Sequence, residues 1–411
     1  MSENKTIIKI PPLEYPTARR LTFIFAVIAA AESYADYNIE NDMVVINEPP
    51  QSLIPKTFKR IVNIHEVRKK VYGKDVLPSP PLRFNINDYK WVGKRLSLNL
   101  SFTIKDDESI CDFFIKVMDA ISDLTINEPE IFSEEMNAVT LAEDTLYLGT
   151  KNKALFPQLQ IFKIEKYKHG KEYLGLATFR GDMKISPVWY GVLGGGWLAT
   201  FAGYIGNILT NVIIDDYTSY SALIGKNAGK LTEALSEYSC LPLKVKEAPS
   251  HGEAYTLLSA LQIDPNKLRY AVQYSIRYSK ITLGNNTYTV TEEIPFDVSP
   301  IHMVIQKLLT EDTYKPLKNV MENLLRCTLR AYANPKMLTE YCKKNWGNAS
   351  TMATMVRSLW NVLMGINPHA NIYTLVRLSP SEEDSYNFRQ QNIVRLLYRL
   401  VSEAFKVEAP L

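Results

Sequence analysis

The sequence predicts an α+β protein: a mixed α/β N-terminal body with antiparallel hairpins, followed by an all-α C-terminal helical bundle. Two alternating stretches and one change of character lead to that reading. Residues 269–291 run RYAVQYSIRYSKITL-GNN-TYTVT, and the Gly284-Asn285-Asn286 turn between runs of Tyr, Ile, Val and Thr is a hairpin signal. Residues 96–104, LSLNLSFTI, alternate apolar and polar as a half-buried strand does. After Pro300 the chain becomes a succession of helical segments: IHMVIQKLL, PLKNVMENLLRCTLRAY, PKMLTEYCKK, ASTMATMVRSLWNVLM and FRQQNIVRLLYRLVSEAF. Short breaks at Asn334-Pro335, Gly347-Asn348 and Asn367-Pro368 separate them, the pattern of a helical bundle. The expected domains are 1–299, with a sub-boundary near 146–150, and 300–411.

The earlier elements follow in order. Residues 16–37 read as a helix, with Leu21, Ile24, Phe25 and Ile28 on one face. Its uncharged part, Leu21 to Ala31, falls short of the roughly 20 residues a bilayer needs. The proline-rich stretches EPPQSLIPK (48–56) and PSPPL (78–82) read as loops. Between them, a helix would put Ile61, Ile64, Val67 and Val71 on one side and Lys59, Lys69 and Lys70 opposite. Arg60 and Arg68 would then have to snorkel outward from the apolar side. After the 96–104 strand, Ile110, Phe113, Phe114, Val117, Met118, Ile121 and Leu124 keep a 3.6-residue period, with Asp106, Asp107 and Glu108 near the helix start. Its outer face, Asp112, Asp119 and Asp123, is acidic. Residues 159–180 read as short strands with a KYKHGKEY turn, and 231–237 as part of a helix.

Thirty residues, Ile185 to Ile214, carry no formal charge. Six glycines and the polar residues Asn207, Thr210 and Asn211 spoil the run as a membrane span. It lacks the lysine of a phosphate-binding loop, and the nearby GKNAGKL has the wrong spacing. The remaining reading is core: a helix through Phe201, Tyr204, Ile205, Ile208, Leu209 and Val212, entered by a Gly-Gly-Gly-Trp turn that faces a ligand.

The net charge of +3 hides strong asymmetry. Residues 56–95 carry eleven Lys/Arg against Glu66, Asp75 and Asp88; residues 106–144 carry twelve Asp/Glu against Lys116; residues 315–411 carry thirteen basic and seven acidic residues. Such distribution suits an assembly component whose faces meet different partners. The four cysteines are far apart without a CxxC pair, which argues against a zinc knuckle and a secreted disulfide scaffold. The N-terminus MSENKTIIKIPP has no apolar signal core, so a cytoplasmic location is expected. His65, His169, His251, His302 and His369 make no metal or catalytic spacing, and no GxSxG occurs. Asp215-Asp216 could ligate Mg²⁺ or end a helix. No catalytic, metal or cofactor residues are assigned, and a non-enzymatic role is expected.

A basic and aromatic constellation remains. Arg326 and Arg330 share a helix face, as do Arg395 and Arg399. Lys343, Lys344 and Arg357 add charge among Tyr332, Tyr341, Trp346 and Tyr398. Arg68, Lys69, Lys70, Lys94 and Arg95 form a second candidate surface, with Trp91 as core residue or stacking partner. Cations neutralise phosphates and aromatics stack on unpaired bases. The competing reading is a solvated exterior whose tyrosines line the core.

The order of parts is a proline-rich, basic α/β half, then FRGDMKISPVWYGVLGGGW, a hairpin and an arginine-bearing bundle. It resembles, in plan and size, the large subunit of an archaeal type I CRISPR surveillance complex (Cascade), the type I-A version in particular. The resemblance implies a non-nuclease subunit that contacts guide RNA and target DNA, reads a short motif in the duplex, helps open it and meets other subunits. No family motif aligns, so no motif-reading residue carries over. No membrane contact or small-molecule substrate is expected. The alternatives are a structural or adaptor protein of an archaeal virus or mobile element, and an enzyme whose site is assembled from distant residues.

Overall fold

A computed structural model of the chain describes residues 4–72, 86–162, 182–205, 208–247, 249–271, 273–274, 276–283, 288–334, 336, 338–381 and 386–405. The expected turn 284–286, the KYKHGKEY turn and the 78–82 loop lie outside these residues. The chain forms two compact units, Met1–Cys240 with Ile276–Glu293, and Leu241–Ser275 with Ile294–Leu411. The helical unit therefore gathers residues from both sides of the hairpin, where the sequence suggested one cut at 300.

In the first unit, strands β1 (Thr6–Lys9), β2 (Tyr37–Glu40) and β3 (Met43–Ile46) form an antiparallel sheet in the order β1-β3-β2. The β2–β3 turn is Asn41-Asp42, both at positive φ (46° and 57°), the backbone of a tight two-residue hairpin. Between β1 and β2 lies helix α1 (Pro16–Glu32), whose Leu21 to Ala30 are buried without a break. Helix α2 (Pro50–Tyr72) follows. The expected loop 48–56 is thus mostly helix: Pro50 occupies the first position, where its missing N–H costs nothing, and Pro55 is accommodated inside.

The first half of the expected strand 96–104 is also helical, and residues 100–104 are a turn followed by irregular backbone rather than a strand. A continuous right-handed stretch, α3, runs as α-helix Ile86–Asp88, a π-helical turn Tyr89–Gly93 and α-helix Lys94–Asn99. Helix α4 (Ile110–Asn127) is capped by Ser109, whose hydroxyl accepts the Asp112 N–H at 3.0 Å, and buries the apolar face expected of it. Helix α5 (Pro129–Asn137) leads into a sheet of β4 (Val139–Ala142), β5 (Thr145–Leu148), β6 (Phe156–Pro157) and β7 (Asp182–Ile185), ordered β4-β5-β7-β6 with β5 and β7 parallel.

The uncharged run inverts its expected structure. The glycine stretch is the helix, α6 (Pro187–Thr200), and the expected helix is two strands, β8 (Phe201–Ile205) and β9 (Ile208–Ile213). Helix α6 is buried along its length, and its glycines are contact surfaces. A Cβ on Gly194 would lie 2.2 Å from the Phe114 ring, and one on Gly196 would lie 2.2 Å from the Leu21 carbonyl oxygen of α1. Gly195 meets Ile61 of α2 at 3.1 Å. Glycine costs about 1 kcal/mol of helix propensity relative to alanine, and close backbone approach offsets it here. Helices α7 (Asp216–Ile224) and α8 (Ala228–Tyr238) close this part of the chain. Strands β10 (Ile276–Leu283) and β11 (Tyr288–Phe296) then complete the sheet β11-β10-β9-β8, with β10 antiparallel to β9.

The second unit contains α9 (Gly252–Ala260), α10 (His302–Thr310), α11 (Lys315–Ala333), α12 (Glu340–Trp346), α13 (Ala349–Leu363), α14 (Pro368–Leu378) and α15 (Gln391–Phe405). Thr339 and Asn348 cap α12 and α13 through the N–H groups of Cys342 and Thr351. Its core includes Tyr314, Leu325, Trp346, Leu359 and Phe388. Cys327 of α11 and Cys342 of α12 form a disulfide, a pairing that their spacing did not announce. No helix among the described residues is long and apolar enough to cross a membrane.

Candidate nucleic-acid interface

The twelve cations singled out in the sequence occupy very different places. Arg68 does not snorkel. It is 3% exposed, its guanidinium donates to the carbonyls of Leu198 and Ile64, and it lies 5.9 Å from the centre of the Phe201 ring. That placement removes Arg68 from any solvent-facing patch. Its neighbour Lys69 pairs with Glu66 at 2.7 Å, and Lys70 is exposed. Val67, expected on the apolar side, is 43% exposed.

In the second unit, Arg326 and Arg330 do share a face, but Glu247 lies on it. Arg330 donates to its Oε1 at 2.7 Å and 2.9 Å; Arg326 stands 3.9 Å away and donates to the Val245 carbonyl at 2.6 Å. Arg357 pairs with Glu253, Lys343 with Glu340 at 2.9 Å, and Arg399 with Glu403 at 2.8 Å. Glu403 also accepts from Lys307 and the Tyr314 hydroxyl, and these donors, Arg399 first, lower its pKa to about 2. Lys344 is exposed. Arg395 is exposed with no ion-pair partner among the described residues. A turn away on α15, Tyr398 stacks on His369 of α14 at 5.6 Å, and Tyr373 and Arg377 continue the exposed line of His369 at four-residue steps. The basic and aromatic constellation expected on the bundle is thus mostly neutralised, leaving a short aromatic and basic remnant.

Helix α3 is different. Its exposure repeats every four residues: Ile86 and Asn87, Lys90 and Trp91, Lys94 and Arg95, Leu98 and Asn99 face solvent, while Val92, Gly93, Leu96 and Ser97 are buried. An α-helix repeats every 3.6 residues, so its face would drift; the wider π-turn at Tyr89–Gly93 absorbs the difference and keeps the four pairs in line. Trp91 is 52% exposed and Leu98 73%. Lys90 Nζ stands 5.7 Å from the Trp91 ring centre. No carboxylate pairs with Lys90, Lys94 or Arg95 among the described residues. The helix's own acid, Asp88, is 5% exposed and accepts the Gln160 N–H at 3.0 Å. Asp106 is engaged by the Tyr89 hydroxyl. Sequence reasoning named Lys94 and Arg95 but missed Lys90 and the strip itself. The signal was the four-residue spacing of Lys90-Trp91 and Lys94-Arg95, obscured by reading 96–104 as a strand.

The other candidates resolve structurally. The Gly194–Trp197 stretch is buried against α1, α2 and α4 and faces no ligand. Asp215 caps α7 by accepting the Thr218 N–H at 2.6 Å, and Asp216 pairs with Arg19 at 2.9 Å, so the two carboxylates diverge. His65 is 2% exposed, and both ring nitrogens lack a partner among the described residues; burial, then Arg68 and Lys69, lower its pKa to about 3. Cys111 is buried, which raises its thiol to about 12 and leaves it inert at neutral pH. His251 accepts the Ala254 N–H at 3.4 Å as a helix cap; His169 lies outside the described residues. Among the described residues no group of three His, Cys, Asp or Glu could hold a metal ion. Comparison with protein-family models, curated proteins and solved structures finds no match to this chain.

Proposed function

We propose that this chain is a non-catalytic nucleic-acid-binding subunit of a larger ribonucleoprotein. The observation that supports the reading is the α3 strip, in which Lys90, Lys94 and Arg95 stand in solvent around a half-exposed tryptophan, with no carboxylate partner among the described residues. Cations free of carboxylates release counterions on meeting phosphates, whereas pre-paired ones must first break an ion pair. Ile86, Trp91 and Leu98 share the strip with the cations, whereas an interfacial membrane helix segregates the two kinds to opposite faces. The finer reading is the large subunit of a type I-A CRISPR surveillance complex, contacting guide RNA and target DNA, helping motif recognition and duplex opening, and working in an archaeal cytoplasm. It rests on the resemblance of plan.

The test is salt-titrated binding to labelled oligonucleotides. Wild type binds at low salt, and the triple variant Lys90→Glu/Lys94→Glu/Arg95→Glu loses binding. Unchanged binding in that variant overturns the assignment. Co-purification of a short guide RNA tests the finer reading. A second reading, a protein–protein adaptor, is favoured by the pairing of Lys69, Arg326, Arg330, Lys343, Arg357 and Arg399 with carboxylates. It expects no oligonucleotide binding by either protein.

A further inference from the structure

We infer that the strip on α3 takes a single strand, with Trp91 as the platform on which one unpaired base stacks. The inference rests on the nucleic-acid reading above and names its ligand class. A duplex offers such a helix only phosphates and groove edges, so three cations would serve it equally well beside any neighbour. A tryptophan is a poor neighbour unless something covers it, because its ring is among the largest apolar surfaces a side chain can expose. Here the ring stands on the outer line, between Lys90 and the Lys94–Arg95 pair, and the fold holds it there. Val92 and Gly93, which follow it, and Leu96 and Ser97, one turn on, are buried and anchor the helix. Asp88, one turn before, is fixed by the Gln160 N–H at 3.0 Å.

Successive exposed pairs are about 6 Å apart along the axis. Lys90 and Lys94 therefore bracket Trp91 on the scale of neighbouring nucleotides. A base against the ring would set its flanking phosphates beside these ammonium groups. The ammonium of Lys90, 5.7 Å from the ring centre, is already in the place that cation–π attraction favours. Every base has a stacking face, so this arrangement tolerates sequence and discriminates by strandedness.

The experiment compares fluorescence anisotropy of a labelled oligouridine of about 15 nucleotides with a duplex of equal length. Wild type, Trp91→Ala, Trp91→Phe and the triple charge-reversal variant are each checked for an unchanged melt. Trp91→Ala weakens single-strand binding about 5- to 150-fold, leaves duplex binding alone and leaves the salt slope unchanged. Trp91→Phe restores most of the loss. Charge reversal abolishes both. Equal loss of both ligands in Trp91→Ala, or no loss of either, overturns the single-strand inference while charge reversal still bears out the nucleic-acid reading. Binding that survives charge reversal overturns that reading itself. Association of wild type with phosphatidylserine vesicles but with neither oligonucleotide overturns both.

Discussion

Replacing Gly196 by alanine puts the packing of the first unit to a quantitative test. On propensity alone the change stabilises a helix by about 1 kcal/mol. The structure opposes it: the new Cβ would lie 2.2 Å from the Leu21 carbonyl oxygen, 2.8 Å from its carbon and 3.0 Å from its Cα. All three atoms are backbone of α1, so no side chain can swing aside. Ordinary contact begins near 3.4 Å, and α1 and α6 must part by about 1 Å along a fully buried seam. Overpacking of this kind costs about 1–3 kcal/mol and occasionally more. The loss of contacts along the seam adds to it, since even a small gap forfeits much of the dispersion energy. A net destabilisation of about 2 kcal/mol is expected, a fall in melting temperature of about 4–8 °C for a unit of this size. Gly229→Ala is the control, because nothing lies within 4 Å of a Cβ there, on the exposed first turn of the otherwise buried α8. It should be neutral or stabilising by up to about 1 kcal/mol. Urea unfolding followed by far-ultraviolet circular dichroism reads both. A Gly196→Ala protein with a midpoint equal to or above wild type, at the same m-value, would show that α1 and α6 are not in backbone contact.

Three further outcomes are expected. His65 titrates at about 3 when folded and near 6.5 when unfolded, so the unfolded chain binds the extra proton between those values. Its contribution is complete above pH 6.5 and falls by about 1.4 kcal/mol per pH unit down to pH 3; His65→Leu should flatten the acid limb of the stability curve by about one proton, and an unaltered slope contradicts the burial. Reducing Cys327–Cys342, which closes a separation of 15 residues, should cost the helical unit about 3 kcal/mol, seen in calorimetry with and without reductant. Arg68→Met should lower stability by about 1–3 kcal/mol by orphaning the Leu198 carbonyl while leaving oligonucleotide binding as in wild type; a binding defect without a stability defect would return Arg68 to the interface.

The helices beyond Pro300 were legible because local chemistry marks their ends: Thr339 and Asn348 cap, Gly347 takes a φ of +77° and Pro368 starts a helix. The α4 face was legible because seven apolar residues keep one period. The uncharged run was misread because propensity speaks against GVLGGGW as a helix, and only the approach of the α1 backbone at Gly196 decides the matter. LSLNLSFTI was misread because its leucines alternate, although the helix buries Leu96 and exposes Leu98. The turns Asn41-Asp42 and Glu143-Asp144, all at positive φ, went unremarked without glycine to announce them. At the candidate site, spacing correctly put Arg326 and Arg330 together. It could not show that Glu247, about 80 positions away, or Glu253, about 100 away from Arg357, would meet them. Lys94 and Arg95 were legible as charges; that no acid among the described residues pairs with them is a property of the fold.

The sheet β11-β10-β9-β8 draws its two strands Ile276–Leu283 and Tyr288–Phe296 from beyond the first helices of the other unit. A ribosome releases the β9 segment long before its partner, so the nascent polypeptide carries an unclosed edge that invites pairing with a sister chain. Cutting a gene fragment at Cys240 would make that temporary exposure permanent, and such a piece should precipitate where the full chain stays in solution.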